Sequence, residues 1–89
     1  MTKQKQKVEG SIDGRAYSKE VENDLNSKAY GLFGSGVGRA FLQYLENITI
    51  HNIKAPNTPA EQLSHFEGQR WTVALMKARC EMGRKLSDQ

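Results

Sequence analysis

From Ser18 onward the apolar positions of this chain fall into helical spacing. Val21, Leu25, Ala29 and Leu32 recur every three or four residues, which places them on one face of a first helix. Ser18 is suited to cap that helix, and Glu20 and Glu22 match its positive N-terminal end. Gly31, Gly34, Gly36 and Gly38 then interrupt the pattern, because glycine weakens helices and populates angles that other residues avoid. Beyond a cap at Ser35, Val37, Phe41, Tyr44, Leu45 and Ile48 form an amphipathic stripe that predicts a second helix of about three turns. Thr49–Ile53 is rich in β-branched residues, yet no second strand pattern exists to pair with it, so it reads as an irregular connection.

The run Thr58-Pro59-Ala60-Glu61 predicts a third helix beginning at Pro59. A threonine cap, proline at the first helical position and glutamate three residues after the cap together satisfy exposed backbone donors. Leu63, Phe66, Trp71, Ala74, Leu75, Ala78 and Met82 continue an apolar stripe to Gly83, roughly 25 residues and about 37 Å of helix. Residues 1–17 carry lysine, glutamine and two glycines with few large apolar groups, and read as a flexible polar arm ahead of a single helical domain at 18–89. The expected fold is therefore all-α: a small helical domain with a two-helix antiparallel core, a preceding short helix and a flexible N-terminal arm. In that core the helix after Ser35 packs on the helix after Thr58, with Gly38, Phe41, Leu45, Phe66 and Gly68 at the packing surface. A mid-helix glycine costs about 1 kcal/mol relative to alanine, and Gly68 is expected where another backbone comes near.

Composition adds bounds more than chemistry. At 89 residues and 37% hydrophobic content the chain is short of what buries a generous core, so part of its apolar surface is expected to be covered by association. The net charge is +3 and the pI about 9.2. Lys3, Lys5 and Lys7 form an uncompensated basic start, residues 8–30 hold five acids against three bases, and Lys77, Arg79, Arg84 and Lys85 make a second basic cluster beside Glu81. Both clusters are expected to act by charge as auxiliary contacts. The single cysteine, Cys80, excludes an internal disulfide framework and fits a small buried or half-buried thiol on a helix, in a reducing compartment. No apolar run approaches the roughly 18 residues of a membrane span, and no signal sequence is expected.

Catalytic patterns are missing from the sequence. Gly34-Ser35-Gly36-Val37-Gly38 fits neither the dinucleotide nor the Walker fingerprint, so no nucleotide cofactor is expected there. His51, His65 and Cys80 are scattered without the paired spacing of a metal site, and neither histidine accompanies a nucleophile motif. The chain therefore reads as no enzyme, with no cofactor. Arg70 is expected to pair with Glu46, Glu67 or a helix end, and Trp71 to belong to the core. The functional alternative turns Gln69, Arg70 and Trp71 outward to a partner, joined by Lys77, Arg84 and Lys85. A helix-turn-helix is disfavoured because the second helix is apolar where a groove reader carries Arg, Asn and Gln.

Phe33-Gly34-Ser35, Gly38-Arg39 with Leu42 and Leu45 following, and later Glu67-Gly68-Gln69-Arg70 together resemble the short structural proteins of tailed, mainly short-tailed, bacteriophages. The resemblance spans about residues 30 to 80. It implies a non-enzymatic virion structural or assembly protein, made in the host cytoplasm and carried in the virion. Its implied partners are further copies of itself or other phage structural proteins, with weak nonspecific nucleic-acid contact and no membrane. A phage-encoded host-directed inhibitor and a small DNA-binding or packaging accessory protein are the alternatives.

Overall fold

A computed structural model describes residues 8–89, and in it the elements follow the order β1 (Val8–Gly10), β2 (Ala16–Ser18), α1 (Lys19–Phe33), α2 (Gly36–Ile48) and α3 (Ala60–Ser87). The all-α class expected from the periodicity is borne out, with one small addition ahead of the helices. β1 and β2 pair antiparallel, Val8 opposite Ser18 and Gly10 opposite Ala16. The arm expected over residues 1–17 is thus corrected for residues 8–17, while Lys3, Lys5 and Lys7 lie outside the described residues. The hairpin forms because Asp13-Gly14 makes its turn. The Asp13 carboxylate accepts the Arg15 N–H at 2.9 Å, and Gly14 takes φ +87°, which a side chain would resist.

Ser18 closes the hairpin and opens α1, its hydroxyl accepting the Val21 N–H at 3.3 Å as the cap predicts. The face that α1 buries follows the apolar stripe only in part. Leu25 and Ala29 are half-buried, Val21 and Leu32 are exposed, and the fully buried residue is Asn26. The cause lies across the contact: at Gly83 of α3 an added Cβ would collide with the Asn26 carbonyl and sit 2.7 Å from Tyr30 Cβ. The two backbones therefore touch, and the contact is set by a glycine and an asparagine where the stripe predicted leucines. Packing of α1 along the second half of α3 is the most extensive in the molecule, which corrects the expectation that α2 and α3 form the main core.

The turn between α1 and α2 is as tight. Gly38 stands against the end of α1, where a Cβ would collide with the Leu32 carbonyl, and Gly36 takes φ +60°. Close packing expected of Gly38 is thus met, with α1 as the neighbour. α2 does run antiparallel to α3: Lys77 lies 3.2 Å from Glu46, Arg70 donates to the Ile50 carbonyl at 3.0 Å, and the Lys54 ammonium sits 4.4 Å above the Phe66 ring. Residues 49–53 form no strand.

The third helix starts one residue later than predicted and ends later too. Thr58 does not cap it, because its hydroxyl donates to the Ala55 carbonyl at 2.7 Å, and Pro59 occupies the cap position. At the other end α3 runs through Gly83 to Ser87, since Gly83 is buried against α1, and Arg84 and Lys85 suit the negative helix end. Gly68 is corrected outright: it is exposed, with no atom within 4 Å of an added Cβ. The molecule extends 55 × 32 × 13 Å, little more than one helix thick. Leu42, Phe66 and Val73 are its buried apolar side chains, and among the described residues no side chain is wholly enclosed.

Candidate interaction surfaces

A slab one helix deep leaves each helix with open flanks, and on α2 the open flank is the apolar one. The stripe that the sequence assigns to the core points outward: Val37 is 86% exposed, and Phe41, Tyr44 and Ile48 are each about half exposed. Leu42 and Glu46, on the opposite side of the same helix, are the buried residues. Of the packing residues expected on α2, Leu45 is half-buried and Phe41 faces solvent, its ring 5.4 Å from that of Tyr44. α2 turns its polar Glu46 inward, where a lysine and a histidine meet it. Lys77 is at 3.2 Å and His51 Nε2 at 3.8 Å from its carboxylate. α2 thus carries an exposed row of large apolar side chains on one side and an ion-paired face on the other.

α3 carries the remaining predicted site residues, and the structure separates them. Gln69 is exposed, its amide 3.4 Å from His65 Nε2. Arg70 is half-buried and structural: it donates to Glu67 at 3.2 Å and to the Ile50 carbonyl, with Phe66 beneath its guanidinium at 5.5 Å. Both partners belong to the kinds expected for it. Trp71 is 53% exposed, so its assignment to the core is overturned, and it borders a shallow cleft with Ile50, Glu67 and Ala74. Phe66 is buried as expected. Lys77 is tied to Glu46. Arg84 is gripped by Glu81 at 2.5 Å and Asp88 at 2.9 Å, which holds the Glu81 carboxyl below its usual range. Lys85 is exposed. The expected basic cluster at the end of α3 is therefore largely neutralised by its own neighbours.

Sequence reasoning missed Arg79, the most connected side chain of the molecule. It is 8% exposed and donates to Asn26 Oδ1 and Ser11 Oγ, both at 2.8 Å, and to Asp13 Oδ2 at 3.2 Å, with Glu22 also at 3.2 Å. One guanidinium thus joins the hairpin, α1 and α3. The signal was its place among the small and apolar residues of the α3 stripe, where a long cation is kept only with partners. Asp13 titrates below its ordinary value, chiefly because it accepts the Arg15 N–H and further because Tyr17, Ser11 and Arg79 donate to it.

Reactive groups are few. Cys80 is half-buried as expected, and burial pushes its thiol up. Among the described residues no group of three or more His, Cys, Asp or Glu side chains is placed to hold a metal ion, and no helix is long and apolar enough to cross a membrane. No protein-family model, characterised protein or solved structure matches this chain.

Proposed function

We propose that this chain is a non-enzymatic structural or assembly protein of a tailed bacteriophage that works through protein–protein contacts and is carried in the virion. The observation that carries the reading is the outward apolar row of α2, Val37, Phe41, Tyr44 and Ile48, set on a molecule too thin to enclose it. Aromatic side chains of this kind anchor interfaces, since each removes a large apolar area from water at little cost in side-chain freedom. The motif resemblance at Phe33-Gly34-Ser35 and Glu67-Gly68-Gln69-Arg70 supplies the phage context.

Mass spectrometry of purified particles tests it. The protein is expected in particles at a fixed ratio to the major components, and Phe41→Ser with Tyr44→Ser is expected to deplete it while leaving its helical circular dichroism unchanged. Absence from particles together with recovery on a host protein would establish the host-directed alternative. Sequence-selective DNA binding that survives physiological salt would establish the DNA-binding one, since nonspecific phosphate contact fades steeply with salt.

A further inference from the structure

We propose that two copies of the chain pair antiparallel through the outer face of α3, about a two-fold axis at the level of residue 73. The inference rests on the reading above only in taking the chain to act through protein contacts. The flank of α3 that its own neighbours leave open is ordered, from Trp71 at the edge of the cleft beside Ile50 to Met82 and Lys85 at the edge of the cleft beside Tyr17 and Glu22. Gly68, Trp71, Leu75, Ala78 and Met82 follow one another at alternating spacings of three and four, the 3.5-residue repeat by which two helices keep one seam in contact. Trp71 and Met82 are exposed on this row, Leu75 is half-buried, and the space over Gly68 is open. α1 holds other positions of α3 through Arg79 and Gly83, α2 holds Lys77, and Lys54 of the connection between α2 and α3 covers Phe66.

The row is complementary to itself in one direction. With Trp71 beside Leu75 of the partner subunit, Gly68 meets the partner's Ala78, small against small, where two backbones approach closely. Ser64 then meets the partner's Met82. One step further out, Glu61 falls on Lys85 of the partner subunit, and by symmetry each pair occurs twice. A parallel pair would set Glu61 against the partner's Glu61 and Lys85 against the partner's Lys85, and like charges at the seam oppose association. Both residues are exposed in the single chain. The contact from residue 61 to residue 85 runs about 36 Å along the helices. It accounts for a glycine in mid-helix with nothing above it, and it leaves the α2 row free for a different neighbour.

Sedimentation equilibrium on the full chain tests the pairing. A monomer–dimer equilibrium is expected. Gly68→Arg, which meets nothing in the single chain, should leave helicity intact and raise the dissociation constant by about 100-fold or more. Glu61→Lys alone and Lys85→Glu alone should each weaken pairing about tenfold at low salt, and the two together should restore it to within about threefold, because the ion pairs re-form with reversed sign. These charge variants lie at exposed positions, so the outcome does not hinge on Gly68→Arg folding. A monomer at every concentration, a dimer indifferent to Gly68→Arg, or charge variants without mutual rescue would each overturn the proposal. Particle incorporation through α2 is read separately, so either result can fail without the other.

Discussion

Arg79 and Asn26 stand 53 residues apart in sequence and share a buried hydrogen bond of 2.8 Å, guanidinium Nη1 donating to the amide oxygen. The pair sits where α1 crosses α3, beside Gly83, and the other guanidinium nitrogen reaches Ser11 and Asp13 of the hairpin turn. Three elements thus converge on one planar cation.

Replacing Arg79 should therefore destabilise the fold more than its single position suggests. Arg79→Leu leaves the half-buried Asp13 and Glu22 and the buried Asn26 facing an apolar chain, and loss of the buried hydrogen bond from the charged guanidinium to Asn26 costs about 1.5–3 kcal/mol. Arg79→Lys should recover only part of this, because an ammonium cannot serve partners on two separate nitrogens of a fork. Urea titration followed by circular dichroism at 222 nm is expected to rank the proteins in the order parent, lysine variant, leucine variant. Equal midpoints for parent and Arg79→Leu would remove the cluster from the account of stability.

Gly83 and Gly68 should behave oppositely although both lie in the same helix. Gly83→Ala drives a methyl into the Asn26 carbonyl, a backbone atom that cannot turn aside, and overpacking of this kind costs about 1–3 kcal/mol. Gly68→Ala meets only open space and gains helix propensity, stabilising the chain by about 0.5–1 kcal/mol. Thermal melts on protein dilute enough to be monomeric should show the first variant falling and the second rising by several degrees. A fall for Gly68→Ala in the monomer would restore the glycine to an intramolecular contact.

Acid should loosen the hairpin before the helices. Asp13 titrates lower in the folded chain than its ordinary 3.8, so the folded state binds fewer protons there than the unfolded one. Its contribution is whole above that value and is lost as pH falls through the depressed one. NMR chemical shifts of Gly14, Arg15 and Tyr17 should stay constant from pH 7 to about pH 4 and change together below it. In Asp13→Asn that acid transition should disappear. Its persistence would assign the transition to another carboxylate.

Periodicity made the helices legible and said little about which faces meet. Val37, Phe41, Tyr44 and Ile48 do lie on one side of α2, as their spacing requires, but spacing carries no information on whether a slab this thin has anything to place there. The decisive contacts came from residues that a hydrophobic stripe passes over: Gly83 because it has no side chain, Asn26 because it is polar, Arg79 because it resembles a surface base. The Asp13-Gly14 pair is a hairpin signal in its own right. The polar composition around it reads as an arm all the same, since strands of three residues carry too few positions to display an alternation. Thr58 shows the converse. A well-formed capping pattern was present, and the competing bond to the Ala55 carbonyl used the same hydroxyl.

The reach of Arg79 back to Ser11 spans 68 residues of chain, and that distance imposes an order on biosynthesis. At about 5–20 residues per second, a ribosome takes roughly 3–14 s to pass from Ser11 to Arg79. Over that interval the turn at Asp13 and the cap at Ser18 can form from local bonds, while the cation that joins them to the helices has yet to be translated. Docking of the hairpin is consequently a late event, and a nascent chain halted before Arg79 would carry its first helix with Asn26 and Glu22 still open to water.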